Sequence, residues 1–198
     1  MHTNVTRRLG PRAIVTLVLS LAVVGFSAAQ AAVITYNVVL NGPSESPPNV
    51  SPGVGTAVVE VDATAHTMRV YVIGFSGLVG TTTASHIHAA TAVPGAGTAG
   101  VATTTPTFAG FPSGVTSGTY DNTLNMTLPS SYNPAYVTAH GGNTTQAEAD
   151  LFQAIAEGRA YLNIHSTSFL GGEIRGFLTP APVSTATSTW GQVKALYR

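Results

Sequence analysis

The sequence predicts an all-β protein with one inserted short helix, in which antiparallel strands form a sandwich or barrel. Segments rich in β-branched and aromatic residues are separated by short stretches of Gly and Pro, at intervals typical of small sandwiches and barrels. Several of these segments alternate apolar and polar residues, as half-buried strands do. Within the predicted domain, only residues 144–158 carry apolar side chains at helical spacing.

The strand-forming segments begin at residues 33–40, which lead into an irregular stretch rich in Pro. Residues 55–62 and 67–75 both alternate, and the short polar gap between them predicts a hairpin. The segment containing His-Ile-His predicts a further short strand. Residues 98–108 and 114–128 are rich in Thr and favour β structure.

The second half of the chain contains the predicted helix and a closing strand pair. Thr144 or Thr145 is the expected N-cap, and Gly158 the expected stop. Residues 160–166 and 171–178 form the last two predicted strands. From 179 to 198 the composition changes to a linker rich in Ser, Thr and Pro followed by a C-terminal tail.

Residues 1–31 have the layout of a secretory signal peptide. A basic head with three arginines precedes an apolar run at 13–26 and the small-residue site "AQA" at 29–31. The alternative, a retained transmembrane anchor, would need roughly 20 apolar residues. We therefore expect a protein that is secreted, periplasmic or attached to the cell surface, with one domain at residues 32–178 and no membrane span after signal cleavage.

Charge and cysteine content exclude several classes of function. Removal of the signal peptide would leave five basic and eight acidic residues, so the charge expected of a nucleic-acid-binding protein is absent. The sequence has no cysteine, which excludes disulfides, thiolate nucleophiles and sulfur ligands. Any bound metal must be held by nitrogen and oxygen.

Three separated blocks of the sequence resemble the CHRD domain, a family named after the repeats of chordin and also found in exported bacterial proteins. The blocks are "VVLNGPSESPPNVSPGVGTAVVEVD", the pair "GL" at residues 77–78 followed by "ASHIHAA", and "GRAYLNIHSTSFLGGEIRGFL". Small departures occur at Ala90, Ser166 and Phe177, beside the matching positions. The resemblance implies an exported bacterial CHRD domain with an immunoglobulin-like antiparallel β-sandwich, and it implies little about activity.

The histidines of the second and third blocks form a candidate metal site. His86 and His88 point to the same side of a strand, because strand side chains alternate. His165 lies on the closing strand, on the side opposite two aliphatic residues. If the strands are neighbours, three imidazoles converge, and such a site suits copper or zinc. Glu173 is a possible fourth ligand or hydrogen-bonding partner of a ligand.

The alternative interpretation gives the histidines a structural role, in which they hydrogen-bond to the backbone or to Glu173. Glu173 and Arg175 are two residues apart on the last predicted strand, so their side chains share one side of it. They could therefore form a solvated ion pair, orient the ligands, or be charges on the sheet surface. An exposed pair would contribute only about 0–1 kcal/mol.

The sequence predicts a binding or structural module more strongly than an enzyme. It contains neither the nucleophile elbow Gly-x-Ser-x-Gly nor a phosphate-binding glycine motif followed by Lys. We expect a secreted module of the cell envelope or extracellular space whose partner is a protein or a glycan. The alternative is a protein that handles copper or zinc through its histidine cluster, with a possible redox role.

The signal-peptide layout leads to the first testable prediction. Mass spectrometry of the exported protein should show a mature N-terminus at Ala32. A chain that still begins at Met1 in a membrane fraction would contradict the predicted cleavage.

Overall fold

The computed structural model describes residues 33–182, and its eight strands form one antiparallel sheet. The strand order is β4-β6-β7-β1-β2-β3-β5, with β8 paired to β1. The strands are β1 Ile34–Asn41, β2 Val54–Asp62, β3 Thr67–Ser76, β4 Thr82–His88, β5 Gly118–Asn125, β6 Tyr161–Ser166, β7 Ile174–Phe177 and β8 Thr179–Pro180.

The all-β prediction is confirmed by this sheet, and the immunoglobulin-like arrangement stays a prediction. The hairpin of β2 and β3 is formed as expected, with residues 63–66 as its loop and Val61 paired with Met68. The predicted signal peptide and residues 183–198 of the predicted tail lie outside the described residues.

The core lies on the inner side of the curled sheet. Alternation along β1, β2 and β3 turns every second side chain inward. These aliphatic side chains meet apolar residues from β4, β6 and β7. Fully buried members include Leu40, Val59, Met68, Val70, Val72, Ile87, Leu162, Ile164 and Ile174.

Two helices follow β5, α1 Pro134–Ala139 and α2 Thr144–Ala156. The second confirms the predicted helix, and the first was not predicted. The N-cap of α2 is Asn143, whose side chain accepts a hydrogen bond from the Gln146 amide, so the expected caps Thr144 and Thr145 were one or two residues late. Within residues 33–182, no helix combines the length and the apolar character needed to cross a bilayer.

Residues 89–117 connect β4 to β5 and run along the edge of β4 that no strand occupies. The amides of Ala102 and Phe108 donate to the carbonyls of Ile87 and Ser85, each at 2.9 Å. The predicted strand at 98–108 was wrong, since this stretch has only isolated bridges. The segment is attached by single hydrogen bonds and by the buried Phe108 side chain, and it forms no continuous ladder with β4.

The packing of α2 gives a stability prediction. Leu151 on this helix is fully buried, whereas Leu170 is 77% exposed. Leu151→Ala should lower the free energy of unfolding by about 2–5 kcal/mol, because it leaves a cavity in the core. Chemical denaturation measures the change. The matched control Leu170→Ala should change it by less than about 0.5 kcal/mol, and equal effects of the two substitutions would contradict this packing.

Candidate metal centre

The pairing of β4 with β6 brings the three predicted histidines together. His86 pairs with Asn163 and His88 pairs with Tyr161, which places His165 diagonally across from His86. Side chains in diagonal positions on one side of a sheet are within reach of each other when they are long. Ile87 and Ile164 point the other way, into the core. The convergence that the sequence predicted is therefore present.

Three backbone carbonyls determine how the imidazole rings are oriented. The Nδ1 atoms of His86, His88 and His165 lie 3.0, 2.8 and 2.9 Å from the carbonyl oxygens of Pro106, Ala99 and Leu170, respectively. A carbonyl oxygen can only accept, so each Nδ1 carries the hydrogen. In a neutral ring, the other nitrogen, Nε2, is then an unprotonated acceptor.

The unprotonated nitrogens face one another. The Nε2 atoms of His86 and His165 are 2.9 Å apart, and one ring nitrogen from each of the three histidines lies within 4.8 Å of the others. The Nε2 atom of His88 is buried and has no hydrogen-bond partner. Buried polar atoms are nearly always hydrogen-bonded, so this atom is available to accept a further group.

Burial keeps the imidazoles neutral. Desolvation, together with the proximity of His88 and His165, lowers the pKa of His86 to about 4. Desolvation likewise lowers the pKa of His88 to about 4, and it lowers the pKa of His165. All three rings are therefore neutral at pH 7, which is the form that binds metal ions.

Glu173 lies apart from the histidine cluster. It immediately precedes β7 and is fully buried. Its carboxylate accepts hydrogen bonds from the Ser51 hydroxyl, at 2.6 Å, and from the amides of Val79 and Gly80. Among the described residues, the cluster of side chains that could hold a metal ion consists of the three histidines and does not include Glu173. Glu173 therefore links the loops that follow β1, β3 and β6. It does not make the hydrogen bond to a histidine that the structural interpretation of the sequence proposed.

Hydrogen bonding also determines the ionisation of Glu173. Burial alone would raise the pKa of this carboxyl group, but hydrogen bonds from Ser166, Ser51 and the two amides outweigh burial and lower the pKa. Glu173 is therefore a carboxylate at neutral pH.

Tyr161 stacks on the histidine cluster, and Arg175 lies over Tyr161. The sequence offered Arg175 as a group that could orient the ligands and gave Tyr161 no role. The Tyr161 ring stacks on His88 with centroids 4.6 Å apart and an angle of 8° between the planes. The guanidinium carbon of Arg175 is 4.6 Å from the centre of the Tyr161 ring. Both residues belong to the third block of the sequence that resembles the CHRD domain. Their place in this block was the sequence signal that could have linked them to the histidines.

Arg175 is buried, which excludes the expected surface charge or solvated ion pair. Its side chain donates to the carbonyl oxygens of Ser44 and Gly97. The nearest carboxylate oxygen belongs to Glu45, 3.8 Å from the Arg175 Nε atom. Desolvation raises the pKa of Glu45 to about 7 despite the charge of Arg175, so Glu45 neutralises this cation only partly at neutral pH.

A comparison with protein families identifies the domain. The model of the CHRD domain matches residues 36–178. The chain belongs to the CHRD domain family. Neither the curated proteins nor the solved structures searched include a match to this chain. All three histidines, Tyr161 and Arg175 lie inside the matched CHRD region.

The lowered histidine pKa values predict how stability depends on pH. Between pH 6.5 and about 4, the unfolded chain takes up protons that the folded His86 and His88 do not. The free energy of unfolding should therefore fall as the pH falls through this window, by up to about 1.4 kcal/mol per pH unit for each group. Denaturant titrations at pH 7.0, 6.0 and 5.0 measure this slope.

A double variant isolates the contribution of the histidines. Glu45 should raise the free energy of unfolding as the pH falls, opposite to the histidines. Its raised pKa means that the folded state takes up a proton between pH 7 and 4.5, where the unfolded chain does not. His86→Gln/His88→Gln keeps Glu45 and removes both imidazoles. The difference between the wild-type and variant slopes should therefore equal the contribution of His86 and His88 to the pH dependence of the free energy of unfolding. Identical slopes would show that these rings are not buried as neutral groups.

Proposed function

We propose that this CHRD protein is a secreted or cell-surface module that binds a transition-metal ion, copper or zinc, through His86, His88 and His165. The observation that carries the proposal is the arrangement of the Nε2 atoms. Each Nδ1–H is used by a backbone carbonyl, which leaves the Nε2 lone pairs free, and one ring nitrogen of each histidine lies within 4.8 Å of the others.

The proposal follows from what can occupy the space between these lone pairs. Two unprotonated nitrogens 2.9 Å apart repel each other unless a positive group lies between them. A proton would satisfy one pair, but the lowered pKa values disfavour protonation at neutral pH. A metal ion accepts all three lone pairs at once, including that of the buried His88 Nε2.

The spacing of the nitrogens is compatible with a metal ion. With metal–nitrogen bonds of about 2.0–2.1 Å, the nitrogens of a tetrahedral site lie about 3.3 Å from one another. The His86–His165 pair is at 2.9 Å and the whole group is within 4.8 Å. Movements of a few tenths of an ångström up to about 1.5 Å bring the rings to these distances.

Location and partners form the second part of the proposal. The CHRD match supports a secreted or extracellular module, and the bacterial, exported character and the immunoglobulin-like sandwich remain part of what we propose. A protein or glycan partner at the cell surface also stays a prediction. The proposal involves binding only, and it assigns no reaction to the protein.

Calorimetric titration tests metal binding. Zn(II) or Cu(II) added to metal-free protein should bind one ion per chain, and His86→Ala/His88→Ala should weaken binding by at least a hundredfold because it removes two of the three ligands. Binding should persist at pH 5.5, below the unperturbed histidine pKa of 6.5, since burial shifts the competing protonation toward about pH 4.

His140→Ala is the matched control. The Nδ1 atom of His140 also donates to a backbone carbonyl, that of Tyr136 at 2.7 Å, but His140 lies outside the cluster. This variant should bind metal as the wild type does. Equal binding by the wild type and the double variant would reject the proposed site.

A further inference from the structure

The donor set of the histidine cluster carries no charge. Its three ligand atoms come from neutral imidazoles, and no carboxylate of the described residues joins the group. Glu173, the acidic residue that the sequence placed nearest, is held by Ser51 and by two amides. A metal ion bound here would keep its full charge in a buried space, unless it brought an anion with it.

The surroundings add a second positive charge. Arg175 is buried against Tyr161, and the Tyr161 ring stacks on His88. The Tyr161 ring contacts both groups, so the Arg175 charge lies within two side-chain contacts of the ligand. Glu45 is the carboxylate beside Arg175, and its raised pKa leaves it partly protonated at neutral pH. The environment therefore opposes positive charge on the metal.

Charge and coordination number together select the ion. The cost of burying an ion rises steeply with its charge, and it is offset only by opposite charges or well-placed dipoles. A dication such as Zn(II) or Cu(II) would need an added hydroxide or another anion at an open position. Cu(I) has half the charge, and three imidazole nitrogens give it a complete trigonal coordination.

We propose that the site prefers Cu(I), and that Arg175 is the residue that disfavours divalent ions. This inference rests on the metal-binding function proposed above and names the ion and its oxidation state. Arg175 acts through Tyr161 and His88 and binds no metal itself. It is therefore a positioning and charge-setting residue.

Competition experiments on the unmodified protein test the specificity. Cu(I) affinity is measured anaerobically, with ascorbate as the reductant, against a chromophoric Cu(I) chelator. Cu(II) and Zn(II) affinities are measured in the same buffer without ascorbate. We expect the dissociation constant for Cu(I) to be at least tenfold lower than those for Cu(II) and Zn(II). Each tenfold preference for Cu(I) over Cu(II) raises the reduction potential of the bound copper by about 59 mV, which voltammetry measures independently.

Two substitutions of Arg175 test its role. Arg175→Gln removes the charge and should reduce the preference for Cu(I) over Cu(II) roughly tenfold, the effect of one unit charge about 10 Å away at the effective dielectric constant of a protein. Arg175→Lys retains the charge and should preserve the preference. A reduction potential that is the same in the wild type and in a folded Arg175→Gln protein would overturn the role of Arg175.

The outcomes separate this inference from the function on which it rests. One outcome is that Zn(II) or Cu(II) binds more tightly than Cu(I) and that His86→Ala/His88→Ala loses this binding. That result would support the proposed metal site and overturn the preference for Cu(I). Failure of all three ions to bind would overturn both proposals. Tight Cu(I) binding that the double variant retains would place the copper elsewhere and likewise overturn both.

Discussion

Hydrogen bonds from the three Nδ1 atoms to backbone carbonyls are the constraint on which the rest of the site depends. Each bond sets the tautomer of a ring and directs Nε2 inward. Without them, the rings could rotate and pair with one another. With them, the cluster contains more acceptors than donors, an excess that the proposed cation would balance.

The irregular segment between β4 and β5 gives this constraint its rigidity. Pro106 and Ala99, which supply two of the three carbonyls, both lie on it, and the segment is attached to the edge of β4 by amide and hydroxyl hydrogen bonds. Loops often carry function on a rigid scaffold. Here the loop orients the histidine rings, while the strands carry them.

Strand alternation predicted the common side of His86 and His88, and it failed where the chain leaves regular structure. The convergence with His165 depended on the pairing of β4 with β6, which the sequence left as a condition and the structure supplies. Glu173 precedes β7, where alternation does not apply, and it points toward Ser51 and the loop after β3. The 98–108 segment has β-forming residues, but its partners are single groups on β4 and near Tyr132. Such long-range pairings are not encoded in local composition.

The same two strands serve both the core and the histidine cluster. Ile87 and Ile164 belong to the core, while their neighbours His86, His88 and His165 face the proposed ion. An ion that binds only the folded form stabilises it by mass action, by about 4 kcal/mol when it is present at a thousand times its dissociation constant. If the domain is exported and binds metal as proposed, proteases that attack transiently opened chains would make its lifetime depend on the local supply of metal.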